Sequence, residues 1–385
     1  MTTTPLPYHR LAHATGLHRW WRPLAGTGLV LAGTFVAMMA VLLVSEIAGA
    51  VLDRPVDKDG FHVWGGIGET GSALLSLALL TPVVFLAARW AQRRPAGTLS
   101  SVAGRLRWRW LGRCLAVALP LVVASLGIML LLPEPVGGGM EGTGGGVEWA
   151  GWPDFLLGLA MVCVLVPFQA SAEEYAFRGW LVQAVGAWCR SPWVALVPQA
   201  LLFAAAHGWG TPWGFADLVV FGLVAGVLTV RTGGLEAAIG LHVVNNLLAM
   251  GVSAAIAGAL ASEETAADMD RLAVGVDVLM LCGYAALVLR LASRHRIATV
   301  TPASAPVPCS APAWGGVNRL PNGGVCCWTE GVGGRSASSA EEKEMRRSCM
   351  SHANGISPLP KDMTVRAITP SAHPEPGHSG PHRRR

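Results

Sequence analysis

Apolar runs of about 17 to 24 residues recur along most of this chain, and that is the length a helix needs to cross a bilayer core about 30 Å thick. They recur too often to be the buried core helices of a soluble protein. Composition points the same way. The 385 residues are 52% hydrophobic and only 14% charged, with a positive mean hydropathy, which places the chain among all-α polytopic membrane proteins. The net charge of +5 carries little as a total. By position it marks the two sides of a membrane, and it gives no footprint for nucleic acid.

Eight spans follow, at about 29–51, 72–88, 114–132, 154–188, 193–207, 215–230, 235–257 and 272–291. The connections between them alternate in charge. Arg10, Arg19 and Arg22 with Trp20 and Trp21 make an interfacial segment, and the stretch 89–113 carries seven arginines and no acid. Arg290, Arg294 and Arg296 close the last span. These clusters mark the cytoplasmic side. The opposite connections are acidic (Asp53, Asp57, Asp59, Glu69; then Glu263, Glu264, Asp268, Asp270) or free of Lys and Arg, as in the glycine-rich 134–149, which reads as a flexible outer loop. The pattern predicts both termini in the cytoplasm and a multi-pass protein of the plasma membrane.

The first apolar run is long and lacks a small-residue cleavage site, so it reads as a membrane span and not as a removed signal. Cys114, Cys163, Cys189 and Cys282 lie in or beside apolar runs, Cys309, Cys326, Cys327 and Cys349 lie near the C-terminus, and no CxxC pair occurs. That argues against a disulfide framework or a zinc ribbon. From about residue 298 the composition turns to Pro, Ser and Gly without periodicity, which predicts a disordered tail. The division is then 1–25 interfacial segment, 26–150 the first three spans, 151–257 a polar-studded core of spans four to seven, 258–297 the last span and 298–385 the tail. The fourth span, at 154–188, is longer than a bilayer and must tilt, kink at Pro167 or protrude.

Inside this core the sequence places charges where they are costly. Glu173, Glu174 and Arg178 follow directly on the uncharged run 155–168. An ionised group at bilayer depth costs about 2.5–3.5 kcal/mol even on the lenient insertion scale. Glu174 and Arg178 are four apart in the favoured order and can pair on one helix face. Glu173 is turned about 100° away and needs another partner. Two further helices supply polar groups: Phe203-x-x-x-His207, and His242-x-x-x-Asn246 with Asn245 beside it. His242 and Asn246 share a face. Glu173 lies 17 residues before Arg190 and His207 lies 17 after it, so an antiparallel hairpin brings them to similar depth. His242 is only nine residues beyond Gly233; matching its depth to that of His207 requires tilt or a re-entrant bend that the sequence does not display.

Each piece has a structural reading: a core histidine, a structural ion pair, an asparagine bonding between helices. Gly222 and Gly226 read as close helix packing. Together, however, an unpartnered glutamate, two histidines and an amide are the groups that water activation and oxyanion stabilisation require. One Glu with two His (Glu173, His207, His242) is also a zinc-like ligand set, though the contiguous HExxH is absent and Asn is a poor zinc ligand.

Glu-Glu-x-x-x-Arg, Phe-x-x-x-His and His-x-x-x-Asn, each on its own helix, resemble the CAAX protease and bacteriocin-processing (Abi) family of intramembrane endopeptidases, over about residues 150–255. The resemblance implies that Glu173 activates water with help from His207, that His242 and Asn246 hold the developing oxyanion, that Glu174 is needed, and that Arg178 orders the motif. It implies a peptide or membrane-protein substrate, lipidated in eukaryotic relatives. A divalent metal stays open, because the family is commonly labelled metalloprotease. Two other classes compete. A proton-coupled transporter would relay protons through Glu173 and the histidines, but it predicts an inverted repeat that the sequence lacks. A catalytically silent adaptor or bacteriocin-immunity protein would keep the fold, and the intact polar set argues against it.

Overall fold

The computed structural model describes residues 5–131, 148–262, 265–302, 317–319 and 325–327. The protein is all-α and polytopic. Among the described residues seven helices are long and apolar enough to cross a membrane: Arg22–Val51, Gly65–Trp90, Trp108–Leu131, Trp152–Gly186, Pro212–Thr232, Glu236–Ala255 and Arg271–Arg294. The fifth expected span, 193–207, is shorter than the rest, Trp193–Ala206, at 14 residues. It rises about 21 Å, less than a bilayer core, and stops at His207.

In chain order the helices are α1 (Arg22–Val51), α2 (Gly65–Ala78), α3 (Leu80–Trp90), α4 (Gly97–Ser100), α5 (Trp108–Leu131), α6 (Trp152–Glu174), α7 (Val182–Gly186), α8 (Trp193–Ala206), α9 (Pro212–Thr232), α10 (Glu236–Ala255) and α11 (Arg271–Arg294). The second span is therefore longer than expected and broken at Leu79. Pro82 stands in the first turn after the break, where its missing amide disturbs the backbone ladder. Between α6 and α7 the residues Tyr175–Leu181 form a π-helical segment. The three pieces make one rod of 35 residues, about 52 Å long.

That rod is gripped at its end by the N-terminal turn Tyr8–His13. Arg10 donates to the carbonyls of Gly186 and Cys189, His9 Nε2 bonds the Arg190 carbonyl and His13 Nε2 that of Ala187. These carbonyls have no further helix to pair with, and cationic or donating side chains satisfy them. Burial holds both imidazoles below the ordinary histidine value.

α9 starts cleanly because Pro212 follows Thr211, whose hydroxyl accepts from the Gly214 amide, and it ends at Gly233 in the left-handed region (φ +70°). α8 and α9 approach closely: a Cβ on Gly222 would fall 2.8 Å from the Ala200 Cα, so the small residue is a packing requirement. α10 is the central element, packed against α5, α6 and α9. Its residues Glu236 to Val244 are all buried.

The turn between α9 and α10 is covered by another stretch of the chain. The connection 97–107 runs beneath it: Val102 N donates to Gly233 O, Leu235 N donates to Ser100 O, and Ser101 bridges Gly234. Glu236, 0% exposed, is held by Arg107 through Nε to Oε1 at 2.8 Å and Nη2 to Oε2 at 2.7 Å. Arg107, one of the seven arginines that mark sidedness, is thus also the counter-ion of a buried acid. This arrangement buries the first turns of α10 within the bundle, and His242 comes to within 3.7 Å of the Glu173 oxygen that lies 3.8 Å from His207, a meeting that the spacing from Gly233 alone does not give.

Residues 298–301, assigned above to the tail, are instead held: Val300 bridges Pro7, and Thr301 bonds Leu6 through both its amide and its hydroxyl. The chain divides into compact units 1–304 and 305–385. In the second, Val317–Arg319 pairs antiparallel with Val325–Cys327. The rest of the expected tail, the core of the glycine-rich loop (132–147) and Glu263 and Glu264 lie outside the described residues.

Arg107→Leu would leave the Glu236 carboxylate buried without its counter-ion. We expect it to cost about 3–5 kcal/mol, read as a lower melting temperature in detergent, with a second substitution, Glu236→Leu, recovering part of the loss.

Candidate active site

The π-helical segment begins one residue after Glu174 and carries Arg178. Widened turns of this kind are often found at functional sites. Arg178 Nη1 donates to Glu174 Oε1 at 2.9 Å, with both side chains 0% exposed. The same oxygen accepts from His242 Nδ1 at 2.8 Å. One carboxylate oxygen therefore holds a cation on its own helix and an imidazole on another. The guanidinium also lies over the Phe203 ring, 4.1 Å from its centroid, with Phe221 at 5.7 Å. These aromatic faces stabilise the positive charge where no water reaches it.

Glu173 points away from that pair. Its Oε1 accepts from Gln169 Nε2 at 2.6 Å. Its Oε2 is buried without a hydrogen-bond partner among the described residues, 3.8 Å from His207 Nε2 and 3.7 Å from His242 Nε2. Those separations are too long for direct hydrogen bonds and short enough for one bridging molecule of water size.

The two rings are oriented by their other nitrogens. A carbonyl oxygen only accepts, so His207 Nδ1, 2.8 Å from Phe203 O, is the donor there. Glu174 Oε1, already neutralising Arg178, accepts from His242 Nδ1 in the same way. Both rings thus turn Nε2 toward Glu173. The phenyl rings pack this arrangement: Phe203 lies 4.5 Å from His207 and Phe221 lies 5.2 Å from His242, centroid to centroid. His207 caps the end of α8 and its side chain is 23% exposed, against 3% for His242, so the site opens on the His207 side.

All five candidate catalytic residues are accounted for. Glu173, His207 and His242 face one point, and Glu174 stands behind His242. Asn246 lies one turn beyond His242 and donates through Nδ2 to Gln169 Oε1 at 3.3 Å. Asn245 has no part in these contacts. Gln169 was missed by the motif reading, although its spacing of four from Glu173 was visible. Among the described residues no group of three or more His, Cys, Asp or Glu side chains is gathered closely enough to hold a metal ion. Tetrahedral zinc with bonds of about 2.0–2.1 Å needs its donors nearer to one another than 3.7–3.8 Å. Glu173, His207 and His242 have suitable donor atoms, but their separations do not fit a ligand set as they stand.

Residues 152–248 match the family model described as Type II CAAX prenyl endopeptidase Rce1-like. The resemblance drawn from the three motifs is thereby borne out over that segment, and it supports an intramembrane protease type of function. Two curated relatives are similar. One is an uncharacterized protein, YyaK, of Bacillus subtilis (strain 168), 28% identical over 173 residues, covering 43% of this chain and 55% of the relative. The other is an uncharacterized 24.3 kDa protein of Escherichia coli, 33% identical over 92 residues, covering 23% of this chain and 41% of the relative. The chain thus spans about half the length of the curated relatives it matches. No solved structure matches it.

Arg178→Met would strand the Glu174 carboxylate at full burial, at an expected cost of about 3–5 kcal/mol. In thermal unfolding the pair Arg178→Met and Glu174→Gln should be strongly non-additive, the double variant being more stable than the single losses predict.

Proposed function

We propose that the protein is an intramembrane endopeptidase in which Glu173, aided by His207, activates a water for attack on a peptide bond at or within the bilayer. The observation that carries this reading is the unpartnered Glu173 Oε2, buried and within 3.8 Å of two imidazole nitrogens. A water there gives up one proton to Glu173 Oε2 and keeps the other, which it shares in a hydrogen bond with His207 Nε2, so that the resulting hydroxide turns a lone pair to the substrate carbonyl. Glu173 then carries the abstracted proton to the leaving amine. His242 and the second amide hydrogen of Asn246 receive the oxyanion. Donation from His242 Nε2 requires protons on both ring nitrogens; Glu174 Oε1 holds the one at Nδ1, and the oxyanion itself is the counter-charge, since Glu174 is already paired with Arg178. Arg178 keeps Glu174 in place and, with Phe203 and Phe221, keeps bulk water away.

Phe203 and Phe221 line the buried side of the site while His207 leaves it open on the other, which suits a substrate that is itself membrane-associated. The substrate class is a peptide or membrane protein, and the relation to prenyl endopeptidases makes a lipidated C-terminus the first probe. We read the orientation from the arginine clusters: both termini cytoplasmic, in the plasma membrane. The metalloprotease label would make Glu173, His207 and His242 the ligands of a divalent metal such as zinc, which would supply Lewis-acid activation of the water. Their separations do not favour it, and no step here depends on it.

In membranes supplied with a farnesylated CaaX peptide and with its unlipidated twin, Glu173→Gln and His242→Ala should each lower cleavage by about 10²–10⁴-fold. Cleavage at the wild-type rate by both variants would discard the mechanism. Treatment with phenanthroline should leave activity intact. Loss of activity that zinc restores would instead assign the three side chains as metal ligands.

A further inference from the structure

The geometry points to Gln169 as a positioning residue that joins the two halves of the site, the water-activating Glu173 and the oxyanion-side Asn246. This deepens the reading of Glu173 as the base and rests on it.

The amide is 4% exposed and sits one helical turn before Glu173, so their side chains stack on one face. Its two ends are chemically distinct, and its neighbours decide which way it faces. An ionised carboxylate accepts only, so Gln169 presents Nε2 to Glu173 Oε1, at 2.6 Å. Its Oε1 then faces α10 and can only accept. Asn246 is obliged to present Nδ2 to it, at 3.3 Å. The result is a one-directional chain across α6 and α10, Asn246 to Gln169 to Glu173, in which each amide fixes the orientation of the next.

Two consequences follow for the reaction centre. With Oε1 turned to Gln169, Oε2 is the oxygen of Glu173 left without a partner among the described residues, and it is the one facing both Nε2 atoms. With one amide hydrogen of Asn246 engaged, the remaining one has a defined direction. Gln169 touches neither the attacking water nor the scissile carbonyl; it acts through its two neighbours.

The test uses the full chain in nanodiscs and needs no substrate. The infrared carboxylate bands of Glu173 are assigned by their disappearance in Glu173→Gln. Replacing Gln169 by Met, similar in length but without the amide, should shift those bands, because Oε1 loses its donor. Asn246→Asp should also shift them, since an acceptor facing Gln169 Oε1 forces the amide to turn over. In the Gln169→Met background Asn246→Asp should add nothing. Bands that stay in place in Gln169→Met would overturn the inference, as would an Asn246→Asp shift that persists undiminished without Gln169. If Gln169→Met lacks a cooperative melt, Gln169→Leu takes its place in the same cycle.

With the farnesylated CaaX peptide as probe, Gln169→Met should lower kcat about 10- to 100-fold, the range set by losing a hydrogen bond to a charged group, with KM unchanged. An unchanged kcat would overturn the positioning role. A wild-type protein that cleaves nothing would count against the protease reading, while the infrared cycle still decides the link between Asn246 and Glu173.

Discussion

One carboxylate oxygen, Glu174 Oε1, organises the centre of this bundle. A buried acid inside a bilayer needs a compensating charge. Here Arg178 supplies the charge from the next turn, and His242 supplies a second donor from a helix 68 positions away. That single atom fixes α6 to α10 at the level of the site. It also frees Glu173. Because Arg178 is committed to Glu174 and packed against Phe203, the neighbouring carboxylate keeps an oxygen without a protein partner.

The depth of that meeting is set elsewhere, by the connection folded beneath the α9–α10 turn. The pairing of Gly233–Leu235 with Ser100–Val102, and of Glu236 with Arg107, starts α10 inside the bundle. The short α8 meets it from the other side. It ends at His207 after 14 residues, at the level His242 reaches after about two turns. The rod from Trp152 to Gly186 tolerates this because its excess length is taken up at the far end, where Arg10, His9 and His13 satisfy the last carbonyls.

Much of this was legible in the residues. Hydropathy located the spans, since lipid imposes a length that few other environments do. Helical periodicity alone paired Glu174 with Arg178 and set Glu173 apart. The turn at Arg190 placed Glu173 and His207 at one height, because two antiparallel helices joined by a tight break share a ruler. The depth of His242 was not legible, because it depends on contacts between residues about 130 apart in sequence. The shortness of α8 was hidden too, because an apolar run does not announce where its helix stops. Arg107 was visible only as one of many interfacial arginines, and nothing local names its partner. Gln169 is the instructive miss. It is uncharged and abuts an apolar stretch, so a search for charges passed over it, although a polar side chain four residues from a buried glutamate deserved the same test as Arg178.

The central claim is that both imidazoles are held by Nδ1, so that Nε2 of each faces Glu173. Magic-angle-spinning 15N NMR of histidine-labelled protein in lipid bilayers reads this directly. Single substitutions assign the His207 and His242 signals. The account predicts a protonated Nδ1 on both rings, with the His242 proton in a short hydrogen bond that disappears in Glu174→Gln. An unprotonated Nδ1 on either ring would turn that histidine's chemistry away from Glu173 and contradict the account.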